Sequence, residues 1–233
     1  MTATHPRARR VRAAAGQQGA ARSRTAGTKP MTVFAHEGDL PDGLSLGPIV
    51  AIDTETMGLK PHRDRLCVVQ LSSGDGAAHV VRIAQGQTEA PNLCAMLADP
   101  TVLKLYHFGR FDIAALANRF GVVSRPVWCT KIASKLVRTY TDRHGLKSLV
   151  QELAGVDISK QQQSSDWGAD ALSQAQLDYA ASDVLYLHLI REVLHERLIR
   201  EGRLEIAQRC FDFLPDRAML DLIGWDEQDI FSH

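Results

Sequence analysis

The sequence predicts an α/β domain built around a mixed β-sheet. Three observations carry that reading. Short apolar runs bounded by turn residues recur early, at residues 49–52, 66–71, 79–83 and 102–106, which is the pattern of buried strands. Helical spacing dominates only after them, from Ile113 onward. Strands first, then alternation with helices, is the order of an α/β chain with a mixed sheet. At 233 residues, 45% of them hydrophobic and 23% charged, the chain has the size and composition of one globular domain with an appendage.

Each element has its own local reason. Ile49-Val50-Ala51-Ile52 is a continuous apolar run and reads as a buried strand, as does Leu66-Cys67-Val68-Val69-Gln70-Leu71. Residues 79–83 form a third strand, residues 91–97 a short helix opened by Pro91, and residues 102–106 a further strand. Ile113, Leu116, Ala117 and Phe120 repeat at i, i+3, i+4 and i+7, and Gly121 ends that helix. Ala133, Leu136, Val137 and Tyr140 repeat the same spacing. Ser173-x-x-Gln176 has the form of a capping box and opens a long helix toward Arg200. No internal repeat is present.

Charge is segregated along the chain. Residues 1–30 hold seven basic residues and no acid, leaving 20 basic against 27 acidic from Met31 onward, a net charge of −7. An acidic body argues against bulk electrostatic wrapping of nucleic acid, but it leaves room for a local basic groove or a metal site that uses carboxylates. Residues 1–30 read as a disordered basic extension. A nucleic-acid tail, a transit-like segment and sequence upstream of a start at Met31 all fit it, and the last is the favoured reading. No apolar run approaches the ~20 residues of a membrane span. The four cysteines include no Cys-x-x-Cys pair, which argues against a zinc ribbon or disulfide scaffold and suits a reducing, cytoplasmic compartment.

Three small constellations carry possible chemistry. Asp53 and Glu55 lie two apart at the end of a predicted strand, so their carboxylates share a face and would hold a hard divalent cation; an exposed acidic turn also fits. Asp112 follows the strand at 102–106 in a first helical turn, where the helix dipole alone favours an acid. Tyr179 and Asp183 sit at i and i+4 on one helix face; a half-buried tyrosine beside a surface aspartate fits equally.

Together, these four carboxylates and the tyrosine resemble the tyrosine-bearing branch of the DEDD superfamily of 3′–5′ exonucleases. The histidine branch would place a histidine where Asp178 stands, while Tyr179 occupies the tyrosine branch's place. Ser165-Asp166-Trp167 and the stretch from Gln176 to Val184 resemble ribonuclease D. The stretches 61–71, 129–136, 139–147 and 159–167 are similar to its compact relatives, the nanoRNase C family, and the resemblance covers the chain from Met31 on. Only 33 residues follow Arg200, too few for the extra helical domains of ribonuclease D.

The resemblance implies a ribonuclease-H-like fold, with residues 31–233 as the exonuclease domain and a C-terminal helical or tail segment. It implies two divalent metal ions, Mg²⁺ or Mn²⁺. Asp53 would bridge both, Glu55 and Asp183 would complete one site, and Asp112 would serve the other mostly through water. Tyr179 would orient the attacking water. Short RNA oligonucleotides are the implied substrates, dinucleotides among them, and nucleoside 5′-monophosphates the products. Trimming of structured RNA such as tRNA, action on DNA, and an inactive nucleic-acid-binding scaffold are the alternatives. The apolar and aromatic residues between Cys210 and His233 suit either burial under the sheet or a subunit interface, and the resemblance implies a ring-like homo-oligomer, an octamer.

Substrate contacts are assigned more openly. Thr54, Met57 and Leu59 would line the 3′-terminal nucleotide, or be buried in a loop. His107, Phe108 and Arg110 would meet phosphate or a base face, although Phe108 and Phe111 also suit the core. Arg138, Tyr140 and Arg143, with His144 and Lys147, form a basic, aromatic-bearing stretch that is either a substrate surface or a solvated face. Trp167 is expected in the core, and residues 161–165 as a polar loop flanking the site.

Overall fold

The computed structural model describes residues 31–233; the basic extension, and the readings offered for it, lie outside the described residues. Six strands form one mixed sheet: β1 (Thr32–Glu37), β2 (Ile49–Thr56), β3 (Leu66–Ser72), β4 (Ala77–Arg82), β5 (Leu103–Tyr106) and β6 (Val127–Cys129). Their order across the sheet is β1-β4-β3-β2-β5-β6. β3 runs antiparallel to both β2 and β4, while β5 and β6 continue parallel from β2. This is the mixed sheet of a ribonuclease-H-like fold, with β1 added in parallel beside β4. All seven residues of β3 are buried, as a continuous apolar run in mid-sheet requires.

The helices are α1 (Pro91–Ala98), α2 (Arg110–Phe120), α3 (Thr130–Val137), α4 (Leu146–Ala154), α5 (Gln174–Leu185), α6 (Leu187–Arg200) and α7 (Leu204–Leu220), closed by a π-helical turn at Asp221–Trp225. α5 packs across β2, β3 and β4, α6 on β5, and α7 on β6 and α2. Gly121 ends α2 in the left-handed conformation, and Ser173 and Gln176 form the expected reciprocal capping box at the start of α5.

Three local expectations are corrected. The long helix toward Arg200 divides at Tyr186 into α5 and α6. Tyr140 is not on α3, which stops at Val137 because Arg138 leaves helical geometry. The stretch read only as basic contains the start of α4, whose Leu149 and Val150 are buried. The C-terminal stretch starts within α7, which buries Phe211 and Leu214, and leaves Ile223, Trp225, Ile230 and Phe231 exposed.

Parallel β2 and β5 bring their C-terminal ends to one edge of the sheet, where α2 begins and α5 passes. Asp53, Asp112 and Asp183 therefore meet at one end of the sheet despite their separation in sequence.

Candidate active site

The period of two along β2 aims Asp53 and Glu55 the same way, and α5 brings Asp183 over them. Carboxylate oxygens of these three residues lie within 4.8 Å of one another. Asp112, in the first turn of α2, is buried beside them and accepts a hydrogen bond from Thr54 Oγ1 at 2.7 Å. Asp53 Oδ2 accepts from Gln70 Nε2 at 2.8 Å. The Tyr179 hydroxyl lies beside the Asp183 carboxylate, and its ring packs on Trp167 with centroids 5.9 Å apart.

Burial raises every one of these acids, and repulsion from neighbouring carboxylates adds to it at Asp53, Glu55 and Asp112. Asp53 is pushed well above the ordinary carboxylate range by desolvation, then by Asp112, Asp183 and Glu55. Desolvation, then Asp183 and Asp112, carries Glu55 to about 9. Desolvation lifts Asp112 and Asp183 to about 7 each, against hydrogen bonds from Thr54 and Tyr179 that favour their charged forms. Tyr179 is driven above its ordinary value by burial and then by the surrounding carboxylates, so its hydroxyl stays neutral. Clustered hard oxygen donors that repel one another without a cation are the donor set of a divalent-metal site.

This arrangement has a measurable consequence. Groups whose pKa is raised on folding stabilise the fold below their unfolded pKa, and that stability is lost as pH rises through the folded value. The lowered histidines His36, His79, His107 and His144 add stability mainly as pH rises to about 6.5 and little beyond it, and Lys104, lowered to about 8, and Lys131, also lowered, oppose the trend only at higher pH. Metal-free protein should therefore lose thermal stability between about pH 6.5 and 8, and millimolar Mg²⁺ should restore more of it at pH 8 than at pH 6.5. A Mg²⁺-induced shift that shrinks with rising pH contradicts the assignment.

Asp53, Glu55 and Asp183 open into a cleft of about 660 Å³, also lined by Met57, Leu59, His107, Phe108, Lys131 and Lys160; Asp112 lies buried behind it. Phe108 holds φ 66, in the left-handed region, and Gly109 follows it; a Cβ on Gly109 would lie 2.6 Å from that of Tyr106. This tight turn leaves the Phe108 ring about half exposed, with Lys131 Nζ 4.0 Å from its centroid. His107 is lowered to about 3 by burial, then by Lys131 and Lys160, and its Nδ1 pairs with Thr130 Oγ1 at 2.8 Å. It is thus a neutral imidazole rather than a phosphate-binding cation.

Thr54 lines the cleft as expected, with its hydroxyl committed to Asp112. Four of the expected substrate contacts are corrected. Arg110 turns away from the cleft and holds Asp221 through two hydrogen bonds, of 2.6 and 2.7 Å, and the Asp226 carbonyl through a third. Arg138 is buried against Glu152 and Ser134, and Tyr140 donates to the same Glu152. Arg138, Tyr140 and Arg143 line a separate depression on the α4 side. Arg110→Ala should lower stability by about 2 kcal/mol, the scale of hydrogen bonds to a charged group, and leave the KM for RNA unchanged. A large rise in KM with unchanged stability would restore Arg110 to the substrate surface. Lys147, from the basic stretch, does face the site, while Lys131 and Lys160 are the cleft cations that sequence reasoning missed; each is an isolated lysine without a local signal.

The site defines a class: an acid-lined, metal-binding nuclease cleft on a ribonuclease-H-like sheet. The sequence profile of the 3′-5′ exonuclease family matches residues 39–199. Ribonuclease D of Acidiphilium cryptum is 42% identical over 177 residues, covering 76% of this chain and 45% of that protein. The chain therefore spans less than half the length of that relative. Among solved structures, Brucella melitensis NrnC with bound Mg²⁺ is 59% identical, with a TM-score of 0.84 over 87% of this chain and 100% of that one. Brucella melitensis NrnC bound to pGG is 61% identical, with a TM-score of 0.85 over 87% and 99%. The chain belongs to the 3′–5′ exonuclease family of the DEDD superfamily and is a hydrolytic exonuclease. Within that family it is similar to ribonuclease D and, more strongly, to NrnC.

Proposed function

We propose that this exonuclease is metal-dependent and hydrolyses short oligoribonucleotides, dinucleotides included, from the 3′ end to nucleoside 5′-monophosphates, the final step of RNA degradation. The observation that carries the reading is the half-buried carboxylate cluster lining the cleft, in a chain alike over 87% of its length to an NrnC bound to pGG. A cytoplasmic setting goes with it. Among the described residues, no helix is long and apolar enough to cross a membrane.

Asp53, Glu55 and Asp183 would hold divalent ions, two Mg²⁺ or Mn²⁺ in this reading, with Asp112 contributing mostly through water. Bound there, such ions make hydroxide available near neutral pH and offset charge building on the phosphate. Tyr179, kept neutral, orients the attacking water beside Asp183 rather than acting as a bulk base. Lys131 and Lys160 offer cations to the phosphates, while Phe108, Met57 and Leu59 offer apolar surface to bases. Thr54 keeps Asp112 in place.

The assembly we propose is a ring-like homo-oligomer, an octamer. Its support is an exposed apolar patch near the C-terminus: Ile223, Trp225, Ile230 and Phe231, with Phe231 edge-on to Phe213. Patches of this kind mark interfaces. Trimming of structured RNA, tRNA included, is the second reading, favoured by the ribonuclease D likeness across residues shared with the catalytic part; action on DNA belongs with it.

The chemistry is tested by incubating pGG with the protein and Mg²⁺ and separating the products. Nucleoside 5′-monophosphate should accumulate, and excess chelator should stop it. A product carrying a 3′-phosphate, or undiminished turnover in chelator, would contradict the proposal.

A further inference from the structure

Gln70 stands in the middle of β3 with its side chain wholly buried. It is paired with Asp53 in the β2–β3 register, and its Nε2 donates to Asp53 Oδ2 at 2.8 Å. Its Oε1 is buried and has no hydrogen-bond partner among the described residues. The neighbours on the strand are Cys67, Val68, Val69 and Leu71. A buried amide with one unpaired end is disfavoured against an apolar side chain of similar shape. Turning the amide over gives no relief, because Oε1 would then face the carboxylate, oxygen against oxygen. The amide orientation is therefore dictated by Asp53, and that contact is what the side chain gains in return for its unpaired oxygen.

We infer that Gln70 is a positioning residue for the metal site: its Nε2 fixes the rotation of the Asp53 carboxylate and leaves the rest of that group facing Glu55 and Asp183. The inference rests on the metal reading of the cleft. A neutral donor suits this task. Arginine or lysine at position 70 would form an ion pair with Asp53 and compete with an incoming cation, whereas an amide holds the oxygen and leaves the charge in place. The same device recurs at the neighbouring acids, where Thr54 donates to Asp112 and the Tyr179 hydroxyl lies beside Asp183. Outer hydrogen bonds to ligating carboxylates typically matter 10- to 100-fold in metal affinity.

The test is Mn²⁺ binding to substrate-free protein, followed by the loss of the free-ion signal in electron paramagnetic resonance. Gln70→Leu removes both the donor and the unpaired oxygen. It should melt no lower than wild type, yet bind Mn²⁺ about 10- to 100-fold more weakly. Gln70→Asn keeps an amide that is one methylene too short to reach Asp53, and should show the same loss; it decides the matter should Gln70→Leu fail to fold. Wild-type Mn²⁺ affinity in a folded variant overturns the inference while leaving the metal reading intact. No Mn²⁺ binding by the wild type overturns both.

Discussion

An Asp53→Asn variant is expected to lose RNA hydrolysis by about 10³-fold or more while melting at a higher temperature than the metal-free wild type. The first effect follows from position. Asp53 is the acid on which Asp112, Asp183 and Glu55 all press, so it is the one best placed to serve two cations, and removing such a charge forfeits stabilisation of both the attacking and leaving oxygens. The second effect follows from the same crowding. Asn keeps the shape and can still accept from Gln70, but it ends the repulsion among buried carboxylates. Opposite changes in activity and stability are the mark of a site strained for function. A variant that retains turnover, or that loses activity only because it unfolds, would defeat the assignment. Thermal melts with and without Mg²⁺ beside a rate measurement settle it, and the Mg²⁺-induced gain in melting temperature should shrink in the variant.

Tyr179→Phe should lower kcat by about 100-fold, the lower range for a positioned proton-transfer or water-orienting group, with KM for RNA and Mn²⁺ affinity little changed. The ring keeps its packing on Trp167, so stability should hold. Only the hydroxyl beside Asp183 is lost. Because burial and neighbouring carboxylates raise the phenol above its ordinary value, the phenolate is not the working form, and the wild-type rate should not climb toward pH 10 as a free phenolate base would require. A kcat equal to wild type in the Phe variant, or a wild-type rate rising through pH 10, removes Tyr179 from the mechanism.

The site was legible where the chemistry is local. Two acids two apart on a strand must share a face, and Tyr179 and Asp183 one helical turn apart must do so too. Gly121 and the Ser173–Gln176 box announced their helix ends for similar reasons. α4 was also written in the sequence, since Leu146, Leu149, Val150 and Leu153 have helical spacing, but the neighbouring basic residues drew attention to charge instead. The arginines were misread because their partners are tertiary. Arg110 meets Asp221, 111 residues away, and Arg138 meets Glu152 across a helix start. An arginine near a proposed anion site looks free until the fold delivers its carboxylate. β6 has only three residues, too few to show a period, and the break at Tyr186 interrupts a helical pattern that continues on both sides. Gln70 was visible as a polar residue in an apolar run; what it faces depends on strand register.

An exonuclease that finishes RNA decay should act first on very short substrates. A time course with Mg²⁺ on matched 5′-labelled RNAs decides this: a dinucleotide, a seven-residue oligomer and a longer RNA ending in a 3′ hairpin. The dinucleotide should disappear fastest and the hairpin RNA persist. Steady trimming of the hairpin RNA while dinucleotides accumulate would contradict it and make the protein a processing enzyme of the ribonuclease D kind.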